Sequence, residues 1–300
     1  MISRRTFLRN SGALALGSVL ATDVVANATA LLAKARPAGI QLYTVMASME
    51  ENADATLKRI AAIGYKELES AFSRKLGGYY GLKPKEFADK AKEHGLTWRS
   101  HHIGGARRKP TVGTTNNAPA VINLRDNYQQ AVDEAAEGGL KYLVCAGTPL
   151  ETAEDLKLAV DTFTKTGEAC KKAGLTFAYH NHTKEFEKVD DKIPFELFFS
   201  EISPDLMKWE LDLAWAVKAG ADPVALFKKY PGRFPLWHVK DITTEQKPVE
   251  VGAGIIDFKP IFAAAKTSGM EYFFVEQDAA PSPLENVATS FANLKKTGVI

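Results

Sequence analysis

Three stretches in the last third of the chain alternate apolar and polar side chains with a period of two: MKWELDLAW (207–215), FPLWHVKD (234–241) and YFFVEQD (272–278). Alternate side chains of an extended chain share a face. Glu210 with Asp212, His238 with Lys240, and Glu276 with Asp278 therefore fall on one parity. Trp209, Leu211 and Leu213, then Trp237 and Val239, then Phe273 and Val275 fall on the other. An apolar face turned to helices and a polar face converging at strand ends is what a parallel barrel with a site at its mouth requires.

The rest of the chain repeats the theme. Strands are predicted in ARPAGIQLYTV (35–45), YKELESAF (65–72), LTWRSHHIGG (96–105), KYLVCAGT (141–148) and LTFAYHNH (175–182). Helical periods lie between them, with recognisable ends: Asn52 opens one that Gly64 stops, Pro84 sits in the first turn of the next, and Asp222-Pro223 and Asp257 start later ones. Eight strand-then-helix units over 35–300 predict one (β/α)8 barrel, a TIM barrel of α/β class, rather than two domains. A doubly wound sheet is the alternative, but no GxGxxG follows the first strand. The segment 104–122 shows no hydrophobic period, and its sequence does not choose between a lid, a binding loop and disorder.

Composition changes this picture little. The chain is 45% hydrophobic, enough for a large core, and its formal charge is +2 from 38 basic against 36 acidic residues. That balance gives no electrostatic reason to expect a nucleic-acid partner. Cys145 falls on a strand and Cys170 near the far end of the following helix, so two small core residues are expected rather than a disulfide.

The N-terminus differs in kind. MISRRTFLRNSGALALGSVLA places Arg4 and Arg5 before Phe7, Leu8 and a weakly apolar run. It resembles a twin-arginine export signal, with small-residue cleavage sites at Ala26-Asn27-Ala28 and Ala28-Thr29-Ala30. Residues 1–30 are therefore set apart from the barrel. The expected route is the twin-arginine export machinery, and the expected destination is the periplasm.

Asp212, His238 and Glu276 stand at the ends of three successive strands, where a barrel keeps its chemistry. One imidazole and two carboxylates suit a divalent metal ion, with Mn, Zn, Co and Mg all open. A fourth ligand is expected from the fifth strand. His180 is preferred, with His182 one pleat nearer the mouth as a substrate contact, and Glu185 and Glu187 are the competitors. Lys240 shares the face of His238. Beside a dication its charged form would be disfavoured, which suits an acid or base of lowered pKa, or a plain contact to the ligand. His102, with Ser100, is expected at the substrate; Glu69 is expected there too, or else paired with Lys208 or Arg99.

IQLYTV, AAIGYKELE, the SxH of strand three, FAYHNHTKEF, ELDLAWAVKAGADP, YPGRFPLWHVKD, VGAGIIDF and YFFVEQD together resemble the xylose-isomerase-like barrel superfamily. Within it they are similar to the sugar phosphate isomerase/epimerase group that carries a twin-arginine leader. The resemblance implies a divalent ion on Asp212, His238 and Glu276, with His180 where a glutamate commonly stands. It implies proton transfer next to a carbonyl by Glu276, His182 or Lys240, and Trp215 at a position where epimerases place a polar substrate contact. A sugar isomerase or epimerase is the expected activity. A lyase or hydratase acting on keto-sugars or keto-glycosides by β-elimination is the alternative, because epimerases use two opposed glutamates. An abasic-site endonuclease and a non-catalytic sugar-binding barrel are weaker readings. The expected partner is a small-molecule sugar, and a homo-oligomer is left open.

Overall fold

The computed structural model describes residues 36–73, 75–107 and 121–300. The leader with Arg4 and Arg5, and most of the segment 104–122, lie outside the described residues. In chain order the strands are β1 (Gly39–Gln41), β2 (Glu67–Ala71), β3 (Thr97–Ile103), β4 (Tyr142–Cys145), β5 (Thr176–His180), β6 (Lys208–Asp212), β7 (Leu236–Val239), β8 (Asp241–Ile242), β9 (Pro248–Val249) and β10 (Tyr272–Val275). Strands β1 to β7 and β10 close a barrel in the order β1-β10-β7-β6-β5-β4-β3-β2, every pair parallel. The expected (β/α)8 architecture is the one observed.

The two parities of the strands do different work. Trp209, Leu211, Trp237, Val239, Phe273 and Val275 join the large core between barrel and helices. Inside the barrel, Tyr142, Val144, Ala178, Leu236 and Phe274 form a separate apolar plug. Gly39 makes room for that plug, since a Cβ there would lie 2.5 Å from the Phe274 ring and 2.6 Å from the Phe273 carbonyl. The residues of the same parity that follow Ala178, Leu236 and Phe274 are His180, His238 and Glu276, all polar, as is Glu210 on the intervening β6. The plug therefore closes the floor, and the polar groups gather toward the strand ends.

Helix starts follow their caps. Asn52, Asp222 and Asp257 each accept a backbone N–H of the first turn they open. Cys145 and Cys170 are buried and free. Two elements depart from the expectation. MKWELDLAW is strand only to Asp212; Leu213–Lys218 is helix, because the Asp212 carboxylate caps it by accepting the Trp215 N–H at 2.9 Å. A small hairpin, β8 with β9, follows β7, and behind it the Asp241 carboxylate accepts the N–H groups of Ile242, Gly252, Gly254 and Ile256. The VGAG turn is wrapped around that buried anion, and Gly254 passes so close that a Cβ would lie 2.2 Å from it. Among the described residues, no helix is long and apolar enough to cross a membrane.

Candidate metal centre

Register sets how the polar residues stand across neighbouring strands. His180 pairs with Glu210 across β5–β6, Asp212 with His238 across β6–β7, and His238 with Phe274 across β7–β10. Asn181 fixes the local geometry. Its Oδ1 accepts the Trp209 indole N–H and the Asp212 backbone N–H, and its Nδ2 donates to the Asp212 carbonyl. The end of β6, and Asp212 with it, is thereby tied to the end of β5.

Asp212, His238 and Glu276 come together: one ligand atom from each lies within 4.8 Å of the others, and all three are buried. His238 Nδ1 is 2.6 Å from Glu276 Oε2 and 4.0 Å from Asp212 Oδ2, and His180 Nε2 is 3.7 Å from Asp212 Oδ2. Asp212 Oδ2, Glu276 Oε2 and His238 Nδ1 are buried with no aligned hydrogen-bond partner among the described residues. Such atoms are costly to bury unless something else engages them. Burial pushes the Asp212 carboxyl up to about 6, even with Lys240 and His238 beside it. Two carboxylates and an imidazole with orphaned atoms aimed at one point are the donor set of a divalent cation, and His180 Nε2 is placed to add a fourth.

Lys240 reaches into the same point. Its Nζ lies 3.2 Å from Asp212 Oδ2, 2.9 Å from Glu276 Oε2 and 2.9 Å from Asp278 Oδ2. Burial opposes its charge, but the three carboxylates outweigh burial and hold it well above the ordinary lysine value. Without a dication beside it, the acidic neighbours stabilise the ammonium; the expected lowering concerns the site with its ion. Glu276 is held well below the usual carboxylate range, burial being outweighed by Lys240 and His238.

Beneath this group lies a second set built from Glu69 and His102, both expected at the substrate, and Glu210, for which the sequence predicts only a face. Glu210, assigned no role, is fully buried, and its Oε2 is 2.6 Å from His102 Nε2, 3.2 Å from His180 Nδ1 and 3.2 Å from His238 Nε2. Its signal was present: it shares the parity of Asp212 two residues upstream. Glu69 lies at the same depth. Its Oε1 accepts from Gln41 Nε2 and faces His238 Nε2 at 2.5 Å, and its Oε2 accepts from Ser100. Glu69 has no exposed surface, so it reaches any ligand only through His238 or His102, and Arg99 pairs with Glu67 instead. His102 lies over both carboxylates. Burial lowers its pKa, but Glu69 and Glu210 outweigh that and raise it to about 9.

The remaining residues stand at the mouth. His182 is exposed there, its ring 5.0 Å from that of His180 and 6.0 Å from that of Trp215. Trp215 is half-buried, with Lys240 and Lys218 over its ring. Glu185 does not turn toward the cluster. It accepts from the Tyr179 hydroxyl and the His182 backbone N–H, which clamps the turn carrying His182. Glu187 is exposed.

The family described as xylose isomerase-like TIM barrel matches residues 57–297. A solved sugar phosphate isomerase/epimerase from Parabacteroides distasonis ATCC 8503 superposes with a TM-score of 0.75 at 27% identity, covering 90% of this chain and 96% of that one. The solved IOLI protein with a binding zinc atom has a TM-score of 0.63 at 19% identity, over 88% of this chain and 96% of the other, and shares the fold. The inosose dehydratase of Geobacillus thermodenitrificans (strain NG80-2) is 26% identical over 171 residues, which is 50% of this chain and 57% of that protein. The chain thus spans little more than half the length of this curated relative.

Proposed function

Because this chain belongs to the xylose isomerase-like TIM-barrel family, we propose that it is a metal-dependent lyase that eliminates water or another substituent β to the carbonyl of a keto-polyol or keto-sugar. One observation carries the reading: the orphaned Asp212, His238 and Glu276 atoms converge beside an ammonium, while β5 offers His180 and no carboxylate. Inversion at carbon in this superfamily uses an opposed carboxylate pair, and among the described residues β5 supplies no glutamate to oppose Glu276. The relatives named inosose dehydratase favour elimination over the isomerase or epimerase reading.

When bound by Asp212, His238, Glu276 and His180, a divalent cation would supply Lewis acidity to the substrate's carbonyl oxygen. His182, exposed at the mouth, takes the proton from the carbon next to the carbonyl. Lys240 gives a proton to the departing hydroxyl, which leaves as water. With Asp212 and Glu276 engaged by the cation, Asp278 alone would hold the ammonium, which eases release of that proton. Trp215 offers an apolar face to the ring of the substrate. The leader supports export by the twin-arginine route to the periplasm, which replacing Arg4 and Arg5 together by lysine tests through the protein's location.

The test is an assay in heavy water with a keto-cyclitol, a keto-glycoside and a free ketohexose side by side. Loss of water or of the glycosidic substituent, read by mass, is expected with the first two. Rapid epimerisation of the ketohexose with no elimination from either keto compound would overturn the reading.

A further inference from the structure

His238 presents one ring nitrogen to each of two carboxylate groups, and an imidazole that ligates a cation keeps a single ring proton to place. Nδ1 faces Glu276 and Asp212, and Nε2 faces Glu69 and Glu210. At the Asp212–Glu276 group only a bare lone pair on Nδ1 can serve a cation.

The neighbours of Glu69 decide where the proton sits. The backbone N–H of Tyr43 can only donate, and it donates to Gln41 Oε1 at 3.0 Å. The amide of Gln41 is thereby oriented, so its NH2 end points at Glu69 Oε1, 2.8 Å away. Ser100 Oγ donates to Glu69 Oε2 at 2.6 Å. Both Glu69 oxygens are thus engaged as acceptors, and the atom facing Oε1 at 2.5 Å must bring a hydrogen. That atom is His238 Nε2.

We infer that Glu69 is a positioning residue that keeps the proton of His238 on Nε2 through the chain Tyr43 N–H, Gln41, Glu69, His238, and so turns the Nδ1 lone pair toward Asp212 and Glu276. The inference rests on the reading of that group as a cation site. It assigns Glu69 no contact with substrate. The polarity of the whole chain starts at one backbone amide of the β1 end, so the tautomer is built into the barrel wall.

The experiment uses the full chain loaded with Zn2+, which is diamagnetic, with 15N-labelled histidine. Long-range proton–nitrogen spectra should show His238 protonated at Nε2 and unprotonated at Nδ1. Glu69→Gln, whose amide can donate to Nε2, should weaken Zn2+ binding about ten- to a hundredfold and move proton density to Nδ1 in the zinc-free form at alkaline pH. Glu69→Asp should recover part of the affinity. A wild-type His238 bound through Nε2, or a folded Glu69→Gln with unchanged affinity and tautomer, would overturn the inference. The wild-type spectrum decides the matter even if the variant does not fold. A wild-type protein that binds no divalent ion at all would instead sink the cation site on which the proposed function stands.

Discussion

Two carboxylates two residues apart on β6 have opposite fates. Glu210 points into a layer where His102, His180 and His238 surround one of its oxygens, and Glu69 opposite is held by Gln41, Ser100 and His238. Among the described residues this deep layer leaves one buried oxygen, Glu210 Oε1, without a hydrogen-bond partner, against three such atoms in the outer layer. Asp212 points into the outer layer, where its Oδ2, Glu276 Oε2 and His238 Nδ1 meet Lys240 and one another only at ion-pair distance, without aligned hydrogen bonds. The same strands thus carry a nearly finished layer and an unfinished one. Buried polar groups are expensive to leave unmatched. The nearly finished layer therefore reads as support and the unfinished one as the place where a ligand completes the structure.

The largest expected effect comes from breaking the outer layer. Asp212→Asn or His238→Ala removes a direct cation donor. Divalent-ion affinity measured by calorimetric titration should fall about ten- to a hundredfold or more, with elimination lost in parallel. If both variants bind an ion as the wild type does, the two layers do not divide as argued.

Lys240 sharpens the comparison, because it belongs to the outer layer and yet competes with the cation for Asp212 and Glu276. Lys240→Met should lower turnover on the order of a hundredfold, as loss of a positioned acid does. Its ion affinity should stay equal to the wild type's or tighten. A Lys240→Met protein that binds the ion more weakly would place the lysine among the supports of the site.

The outer layer was legible in the sequence; of the deep layer Glu69 and His102 were legible as site residues, but neither their depth nor the part of Glu210 was, for a physical reason. Period-two alternation fixes which face a side chain takes, so the inward parity of Asp212, His238 and Glu276 followed from WELD, WHVKD and FFVEQD alone. Depth along the barrel axis depends on strand stagger, which no single strand reveals. Glu210 and Glu69 could be given a face but not a layer. The stretch LAW after Asp212 contains no glycine or proline to mark a break. Only the Asp212 carboxylate, folded back onto the Trp215 N–H, turns it into helix. Asp278 is legible in the sequence only as a face-mate of Glu276, yet its carboxylate lies 2.9 Å from Lys240 Nζ.

The adjacent histidines of β3 give the smallest effect and the finest contrast, since one faces the deep layer and the other the outer core. His102, between Glu69 and Glu210, favours its charged form. His101 points to the other side, where Ser70 Oγ lies 2.8 Å from Nδ1, and the rings of Tyr79 and Trp98 pack against it. Burial, and next His102, lower the His101 pKa from 6.5 to about 3. The sign follows from that depression: the unfolded chain takes up a proton at His101 below about pH 6.5, while the folded one stays neutral down to about pH 3. Stability is thus fully present above pH 6.5 and falls as the pH drops through that window, by about 1.4 kcal/mol per pH unit once well below 6.5. At pH 5 the loss from this one group is about 2 kcal/mol. His101→Asn keeps a polar atom near Ser70 but has nothing to titrate. Denaturant unfolding at pH 7.5 and pH 5 should show the variant's stability changing less between the two by about that amount. An equal change in both proteins would mean that His101 is charged in the folded barrel, and the contrast between the two faces of β3 would not hold.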